Sequence, residues 1–311
     1  MAGDNISGTV KIRNNLHTAS KIRVEALPCW HGPVTATPLD GGITNVNFTV
    51  RDGADKFVVR LGGDIPIHHV MRFNELAANR AAHAAGFSPE VTHSEPGVLV
   101  IRFIDGHVFT EADVREQHNL ERVVALMKRF HRDMPSYLRG PLLVFWVFQI
   151  LRDYALTLNE GASRHRPSLP RLMTIAEALE TAVGPVDLVF GHNDLLAANF
   201  IDDGSRLWLL DFDYAGFNSP LFDLANLASN NQLAEDQEHW LLEAYYGAPP
   251  SESLWRAYRA MKCASLLREA MWSMVSELHS KLDFDYGAYT AEYLDRFERT
   301  YAATSKCLDV S

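Results

Sequence analysis

The chain is poor in cysteine, and its cysteines are not spaced in a way that builds a cross-linked scaffold. Three occur among 311 residues, namely Cys29, Cys263 and Cys307, and no two of them form a C-x-x-C pair. A sparse set of odd number argues against a disulfide framework and against a structural zinc site. We therefore expect a protein of the reducing cytoplasm.

The chain also lacks a long hydrophobic run. Its longest apolar stretch, residues 141–151, is too short to cross a bilayer, because a membrane-spanning helix needs about 20 apolar residues. Residues 1–20 are polar and contain no apolar core of the kind found in an export signal. The sequence therefore predicts neither a membrane anchor nor secretion.

The chain has fewer basic residues than acidic ones. The chain has 29 Lys and Arg residues against 39 Asp and Glu residues, which gives a formal net charge of −10. This balance argues against nucleic acid as a partner, because phosphate backbones are bound by basic surfaces. It is compatible with a small cationic substrate. The oligomeric state stays open, with a homodimer among the alternatives.

What the chain does contain is enough apolar residues, 47% of the total, for a core divided between two lobes. We expect residues 1–26 to form an N-terminal arm. Strand patterns at 35–39, 45–51, 56–61 and 97–103 and a helical pattern at 69–85 predict an antiparallel sheet plus a helix over residues 27–105. A mostly helical lobe over residues 106–311 is predicted by helical patterns at 111–133, 145–158, 169–183, 221–229, 236–246, 253–279 and 286–302.

The strongest chemical signal is the segment from His192 to Asn199, followed twelve positions later by Asp211. Asp194 and Asn199 have the spacing of the base and the metal-holding amide in a kinase catalytic loop, and Asp211 stands where a Mg²⁺-binding carboxylate would follow. A lone His-x-Asp is more often a turn or a cap. Here the hairpin pattern over residues 200–210 supports a phosphoryl-transfer site.

Three ordered motifs resemble the choline/ethanolamine kinase family, within the wider aminoglycoside phosphotransferase and protein kinase-like group. They are residues 191–199, 210–216 and 222–226, and the resemblance extends from about residue 27 to about residue 301. It implies an α+β, protein kinase-like two-lobed fold. It also implies ATP and Mg²⁺ as cofactors, with Asp194 as the catalytic residue and Asn199 and Asp211 as the metal ligands.

The first lobe is expected to bind the nucleotide. A glycine-containing turn at Gly41, Gly42, Thr44 and Asn45 can bring backbone N–H groups close to phosphates, although such a turn is by itself usually only a hairpin. Arg60 stands where protein kinases carry a phosphate-binding Lys, with Glu75 as its expected ion partner. A solvated strand charge is the alternative. The backbone of the hinge, Arg102, Phe103 and Ile104, is expected to contact adenine.

The acceptor pocket is expected to be C-terminal. A quaternary ammonium cannot donate hydrogen bonds, so its site needs aromatic faces and carboxylates. Trp272 and Tyr289 match aromatic positions of the family, and Asp213 and Tyr214 are candidates for the pocket wall. Glu269 and Asn230 depart from the family pattern, where animal choline kinases carry Trp and Glu. A carboxylate at position 269 suits a primary amine as well as choline. For Trp272, a core role is the alternative.

The sequence therefore predicts an ATP- and Mg²⁺-dependent kinase acting on the hydroxyl of choline or a related amino alcohol such as ethanolamine. An aminoglycoside or sugar-hydroxyl phosphotransferase is the alternative within the class. A catalytically silent kinase-like binding module is the alternative outside it. Asp223 is expected to cap a helix or to tether the catalytic loop, and His192 to pack beneath that loop.

Overall fold

The computed structural model describes residues 18–39, 45–280, 282 and 284–306, and these residues form two compact units. One unit contains the chain up to Asp64 together with Pro89–Asp105. The other contains Ile65–Ser88 and the chain from Gly106 onward. Within the described residues, no helix combines the length and the apolarity that crossing a membrane would require.

The first unit is built on a five-stranded antiparallel sheet. Its strands are β1 (Thr35–Leu39), β2 (Val46–Asp52), β3 (Asp55–Leu61), β4 (Val91–Glu95) and β5 (Val98–Arg102), in the order β1-β2-β3-β5-β4. Buried and less buried residues alternate along β3, as expected for a sheet with one face on a core. A helix over residues 18–25, α1, contributes Val24 to that core beside Phe48 and Val59.

The second unit is mostly helical. Its helices are α2 (Arg72–Ala84), α3 (Glu111–Arg115), α4 (Gln117–Asp133), α5 (Val147–Glu160), α6 (Leu169–Val183), α7 (Pro220–Asn231), α8 (Glu235–Tyr246), α9 (Glu252–His279) and α10 (Tyr286–Ser305). Short strands form two small sheets: β6 (His107–Val108), β8 (Phe200–Asp202) and β9 (Leu207–Leu209) in one, and β7 (Val189–Gly191) with β10 (Gly216–Asn218) in the other.

Helix α9 is the central element of the second unit. It has 28 residues, and its first turn is capped by Ser251, whose hydroxyl accepts a hydrogen bond from Leu254 N at 3.2 Å. It packs against α5, α6, α7 and α10. Because it is surrounded on several sides, its C-terminal half is almost continuously buried, including the charged residues Arg268 and Glu269.

The α+β, protein kinase-like fold predicted from the sequence is confirmed. Helix α2 lies in the second unit, whereas the sequence grouped it with the sheet. The reason is its polar anchoring, since Asn74 donates from Nδ2 to Ala215 O at 2.7 Å and accepts from Leu143 N at 3.0 Å. The predicted lobe boundaries, 1–26, 27–105 and 106–311, stay predictions.

Candidate active site

The catalytic loop is held from below by one buried carboxylate. It leaves β7 at His192, and Asp223 of α7 accepts from His192 N at 2.8 Å and from Asn193 N at 2.7 Å. The imidazole of His131 lies 2.8 Å from the same carboxylate. Burial alone would raise the pKa of Asp223, but the hydrogen bond and charge of His131 and the neighbouring His192 hold that pKa below its usual range. Asp223 is therefore ionised at neutral pH.

Helix α7 holds the loop at a second point through asparagine side chains. Asn226 Oδ1 accepts from Leu195 N at 2.6 Å, and Asn231 Nδ2 donates to Leu195 O at 3.1 Å. The N-cap of α7 is Ser219, whose hydroxyl accepts from Leu221 N at 3.2 Å. Of the two roles expected for Asp223, the structure therefore supports the tether and not the cap.

We expect Asp223→Asn to weaken the loop from beneath. The new amide nitrogen would face backbone N–H donors, so the free energy of unfolding should fall by about 3–5 kcal/mol and kcat by about tenfold. Because the folded-state pKa is lowered, the contribution of Asp223 is present at neutral pH. It is lost as the pH falls below about 4 towards that pKa, so the stability deficit should shrink there.

Urea unfolding and steady-state kinetics would measure both effects. Asp236→Asn is the matched control, because Asp236 lies exposed at the start of α8. A variant with unchanged stability and unchanged kcat would show that Asp223 does not support the loop.

Asn193 connects the catalytic loop to the segment after Asp211. Its φ angle of 65° lies in the left-handed region, which Asn tolerates better than most residues. Its Nδ2 donates to Tyr214 O at 3.0 Å and to Gly216 O at 3.2 Å, and its Oδ1 accepts from Asn218 at 3.0 Å. The side chain thus fixes the spacing between the two segments that carry the predicted catalytic and metal-binding residues.

His192 and Asn199 complete the link to Asp211. His192 Nε2 lies 2.8 Å from Leu210 O, and Leu210 N donates to Asn199 O at 2.9 Å. Burial lowers the pKa of His192, which favours the neutral imidazole. The prediction that His192 packs and hydrogen-bonds beneath the loop is confirmed.

Asn199 and Asp211 offer the donor set of a magnesium site. Asn199 donates from Nδ2 to Asp194 O at 2.8 Å, so the oxygen of its amide is the end that can face a cation. Asp211 has a φ angle of 66° and follows Leu210, the partner of Asn199. One amide oxygen and one carboxylate suit Mg²⁺, which keeps waters and phosphate oxygens as its other ligands. Among the described residues, no cluster of three or more His, Cys, Asp or Glu side chains has a metal-binding arrangement.

Asp194, whose carbonyl accepts from Asn199, is half-buried. Burial raises the pKa of Asp194 well above its usual range, the guanidinium of Arg268 opposes that shift, and the charges of Glu269, Asp211 and Asp213 add to it. Arg268, Glu269, Asp211 and Asp213 therefore all lie within electrostatic range of Asp194. The excess of carboxylates is what a divalent cation or a cationic substrate would offset.

Asp213 and Glu75, which the sequence assigned to different roles, meet at one guanidinium. Arg72 Nη1 lies 2.8 Å from Asp213 Oδ1 and 2.6 Å from Glu75 Oε2. The sequence did not single out Arg72, because its contact with Asp213 spans 141 positions. The ion pair expected between Glu75 and Arg60 would link residues of the two units, and it stays a prediction.

The predicted acceptor residues of α9 and α10 come together. The ring of Trp272 lies 5.9 Å from that of Tyr289 and 5.9 Å from that of Tyr286, measured between centroids. Tyr289 also donates from its hydroxyl to Glu269 Oε2 at 3.4 Å. Burial raises the pKa of Tyr289, and the charges of Glu269 and Asp194 add to that shift. An aromatic and acidic group of side chains therefore lies in the electrostatic neighbourhood of Asp194.

Two further predicted acceptor residues, Tyr214 and Asn230, are buried outside α9 and α10. Tyr214 is buried, and the guanidinium carbon of Arg268 lies 4.2 Å from the centroid of its ring. Asn230 is buried in α7 and donates from Nδ2 to Asn226 Oδ1 at 3.2 Å. Sequence reasoning missed Arg268, although a charged pair inside an otherwise apolar helical pattern is a readable signal of a buried functional pair.

The predicted nucleotide residues belong mostly to the first unit. Gly41, Gly42 and Thr44 lie outside the described residues, and Asn45 is the first residue described after them. Arg60 lies in β3 opposite Leu99, on the face away from the buried Val59.

The hinge segment is partly engaged in the sheet. Arg102 N donates to Glu90 O and Phe103 N to Lys56 O, both at 2.9 Å. The Arg102 side chain pairs with Glu90 and Asp55. Ile104 is half-buried. The predicted adenine contacts at Arg102, Phe103 and Ile104 stay predictions.

The antiparallel sheet of the first unit and the helices of the second are the architecture of the protein kinase-like class. The sequence model described as choline/ethanolamine kinase matches residues 36–241. The chain belongs to the choline/ethanolamine kinase family, whose members are phosphotransferases with an alcohol group as acceptor.

Individual relatives agree with this assignment. The probable ethanolamine kinase of Arabidopsis thaliana is 29% identical over 287 residues, which cover 81% of this chain and 75% of the relative. Protein LicA of Haemophilus influenzae is 26% identical over 263 residues, which cover 82% of this chain and 76% of LicA. The crystal structure of a choline/ethanolamine kinase family protein from Mesorhizobium loti superposes with a TM-score of 0.73 at 27% identity. It covers 94% of this chain and 97% of that one.

Proposed function

We propose that this protein is an ATP- and Mg²⁺-dependent kinase that transfers the γ-phosphoryl group to the hydroxyl of choline or a related amino alcohol such as ethanolamine. The observation that carries the proposal is that Arg268 joins the two groups of residues: its guanidinium lies over the ring of Tyr214, three positions after Asp211, and its Nη1 donates to Glu269, which accepts from Tyr289. A carboxylate suited to phosphoryl transfer thus stands beside an aromatic and acidic group suited to an ammonium ion.

Asp194 is proposed to position the acceptor hydroxyl. Its carboxylate accepts the hydrogen bond of that hydroxyl and takes the proton as the oxygen becomes bonded to phosphorus. The hydrogen bonds of Asp223, Asn226 and Asn199 to the loop hold the Asp194 backbone. When bound by Asn199 and Asp211, Mg²⁺ would neutralise phosphate charge.

The ammonium end of the acceptor is proposed to face Trp272, Tyr286, Tyr289 and Glu269. Aromatic faces attract a quaternary ammonium by about 0.5–2 kcal/mol each, and a carboxylate adds charge attraction without requiring a donor on the ligand. A primary ammonium could in addition donate to Glu269. Both choline and ethanolamine therefore fit the chemistry of this group of residues.

The nucleotide is proposed to use Asn45, Arg60 and the hinge backbone of the first unit. The guanidinium of Arg60 can hold two phosphate oxygens at once, which suits a triphosphate. Glu75 is proposed to fix the orientation of the Arg60 guanidinium.

A screen with radiolabelled ATP tests the function directly. The purified full chain is incubated with ATP, Mg²⁺ and one acceptor at a time: choline, ethanolamine, an aminoglycoside and glucose. We expect label on choline or ethanolamine, and loss of turnover when the metal is chelated, because phosphoryl transfer needs the charge of Mg²⁺ neutralising the phosphates.

The screen also separates the alternatives. Label on the aminoglycoside or on glucose but on neither amino alcohol would contradict the acceptor class. Absence of label on every acceptor, with ATP still raising the melting temperature, would favour a silent binding module.

A further inference from the structure

The guanidinium of Arg268 is buried in α9 with one edge unpaired. The residue is 2% exposed, and its Nη1 donates to the carboxylate of Glu269. Within the part of the chain that the structure describes, its Nε and Nη2 atoms have no hydrogen-bond partner. Buried donors of native proteins nearly always have a partner, and those of a charged group are the most costly to leave alone. The Nε and Nη2 atoms of Arg268 are therefore available to bind a ligand.

The two unpaired nitrogens form one recognition surface. The Nε–H and Nη2–H bonds of a guanidinium point in the same direction, and their spacing matches two oxygens of a carboxylate or a phosphate. Nη1, on the other side, is already used by Glu269. Arg268 is thus held through Nη1, and its Nε and Nη2 atoms can together bind an anionic oxygen group.

Aromatic side chains hold this guanidinium without filling its edge. Its central carbon lies 4.2 Å from the ring centroid of Tyr214 and 5.5 Å from that of Phe145. A guanidinium stacks on aromatic rings through its flat face, while its N–H groups lie in the plane. These ring contacts supply no hydrogen-bond acceptor to Nε or Nη2 of Arg268.

The edge lies in the neighbourhood of the proposed chemistry. The guanidinium of Arg268 lies over the ring of Tyr214, and the carbonyl of Tyr214 accepts a hydrogen bond at 3.0 Å from Nδ2 of Asn193, the residue before Asp194. Glu269, the partner of Arg268, accepts a hydrogen bond from Tyr289 of the aromatic group at 3.4 Å. Arg268 therefore lies next to the residues proposed to bind the acceptor, without being one of those that face its ammonium group.

We propose that the Nε–Nη2 edge of Arg268 binds an anionic oxygen group on the acceptor side of Asp194. The inference rests on the proposed kinase function. In that reaction the bond between the γ-phosphorus and the β–γ bridging oxygen breaks, and a bond from the acceptor oxygen to phosphorus forms. The hydroxyl proton goes to Asp194, and ADP leaves with the bond electrons. The phosphoryl oxygens, then on the acceptor, are one source of the group. A carboxylate carried by the acceptor itself is the other.

Two variants of the full chain test the proposal, Arg268→Gln and Arg268→Lys. For Arg268→Gln we expect the inhibition constant of phosphocholine to rise about tenfold, because a bidentate charged contact is lost. We expect the KM of choline, which has no anionic group, to change by less than about threefold. Arg268→Lys should fall between the parent and Arg268→Gln, since Lys keeps the charge without the fork. Arg256→Gln is the matched control, because Arg256 lies exposed in the same helix.

The two sources of the anionic group give different results. If the phosphoryl group is bound, Arg268→Gln weakens phosphocholine and lowers kcat for choline. If an acceptor carboxylate is bound, the parent enzyme prefers serine to ethanolamine or carnitine to choline, and Arg268→Gln removes that preference. Either result supports the proposal. A folded Arg268→Gln enzyme with unchanged phosphocholine inhibition, unchanged kcat and unchanged acceptor preference would overturn it.

Titration calorimetry tests the proposal where neither Arg268 variant folds. If neither variant folds, the parent protein is titrated with phosphocholine and with choline in the absence of nucleotide. Tighter binding of phosphocholine supports the proposal, and binding no tighter than that of choline, with no preference for carboxylate-bearing acceptors, overturns it.

If the parent phosphorylates no acceptor, the kinase function fails. Loss of phosphocholine binding in Arg268→Gln would still show that Arg268 holds an anionic oxygen group.

Discussion

Replacing Asp194 with Asn is expected to lower kcat by about 10²- to 10⁴-fold while leaving nucleotide binding nearly intact. Asn keeps the shape of the side chain, and the backbone of the loop stays held by Asp223 and Asn226. An amide cannot accept the hydroxyl proton, and it lacks the charge that orients the hydroxyl. The variant should therefore lose turnover and keep its nucleotide binding.

The same variant is expected to be at least as stable as the parent. In the parent, burial and the charges of Glu269, Asp211 and Asp213 disfavour the ionised Asp194. A folded-state pKa above the unfolded value means that this group costs stability as the pH rises above about 4. Removing the charge should thus keep or raise the melting temperature, measured at pH 7 without Mg²⁺ or nucleotide.

Single-turnover kinetics with choline and a nucleotide-binding titration would measure both parts of this prediction. Asp236→Asn again serves as the control for an exposed carboxylate. Turnover close to that of the parent would remove Asp194 as the residue that positions the hydroxyl. A large fall in stability would instead show that its charge is compensated in the folded protein.

Replacing Trp272 with Ala is expected to raise the KM of choline by about 30-fold and to change the KM of ATP by less than about twofold. The indole is the best aromatic partner for a quaternary ammonium, and its ring lies 5.9 Å from that of Tyr286 and from that of Tyr289. Ethanolamine should lose less, because its primary ammonium can donate to Glu269. Steady-state kinetics with both acceptors would give the comparison.

Trp272 is also 7% exposed, so its removal leaves space in the helical unit. Trp272→Phe therefore accompanies Trp272→Ala, since it keeps most of the volume and should raise the KM of choline by only a few-fold. Trp255→Ala, in the same helix but stacked on His239, is the control. Equal rises in both KM values, together with a lowered melting temperature, would mean that Trp272 acts only as a core residue.

The catalytic loop was predictable because its chemistry is local. Asp194 and Asn199 are five positions apart, and Asp211 follows at the end of a short strand, so their spacing could be read against a known reaction. The strand pattern at residues 56–61 likewise predicted a strand, and the structure has β3 at Asp55–Leu61. Such patterns depend on neighbours in the chain, which the sequence displays.

The supports of the loop could not be predicted in the same way. His131 meets Asp223 across 92 positions, and Arg72 meets Asp213 across 141. No periodicity links such residues, because their contact depends on how separate helices pack. The role of Asp223 was left between a cap and a tether for that reason, and Ser219 turned out to be the cap.

The sequence by itself determined the reaction class, since phosphoryl transfer needs a carboxylate and oxygen ligands at a spacing that one loop and the following strand provide. It also indicated the family, through three ordered motifs. Only the tertiary structure brought Arg268 and Glu269 of α9 into the electrostatic range of Asp194. The physical reason is that a charge acts through space, and the cost of burying it depends on partners that only folding brings near.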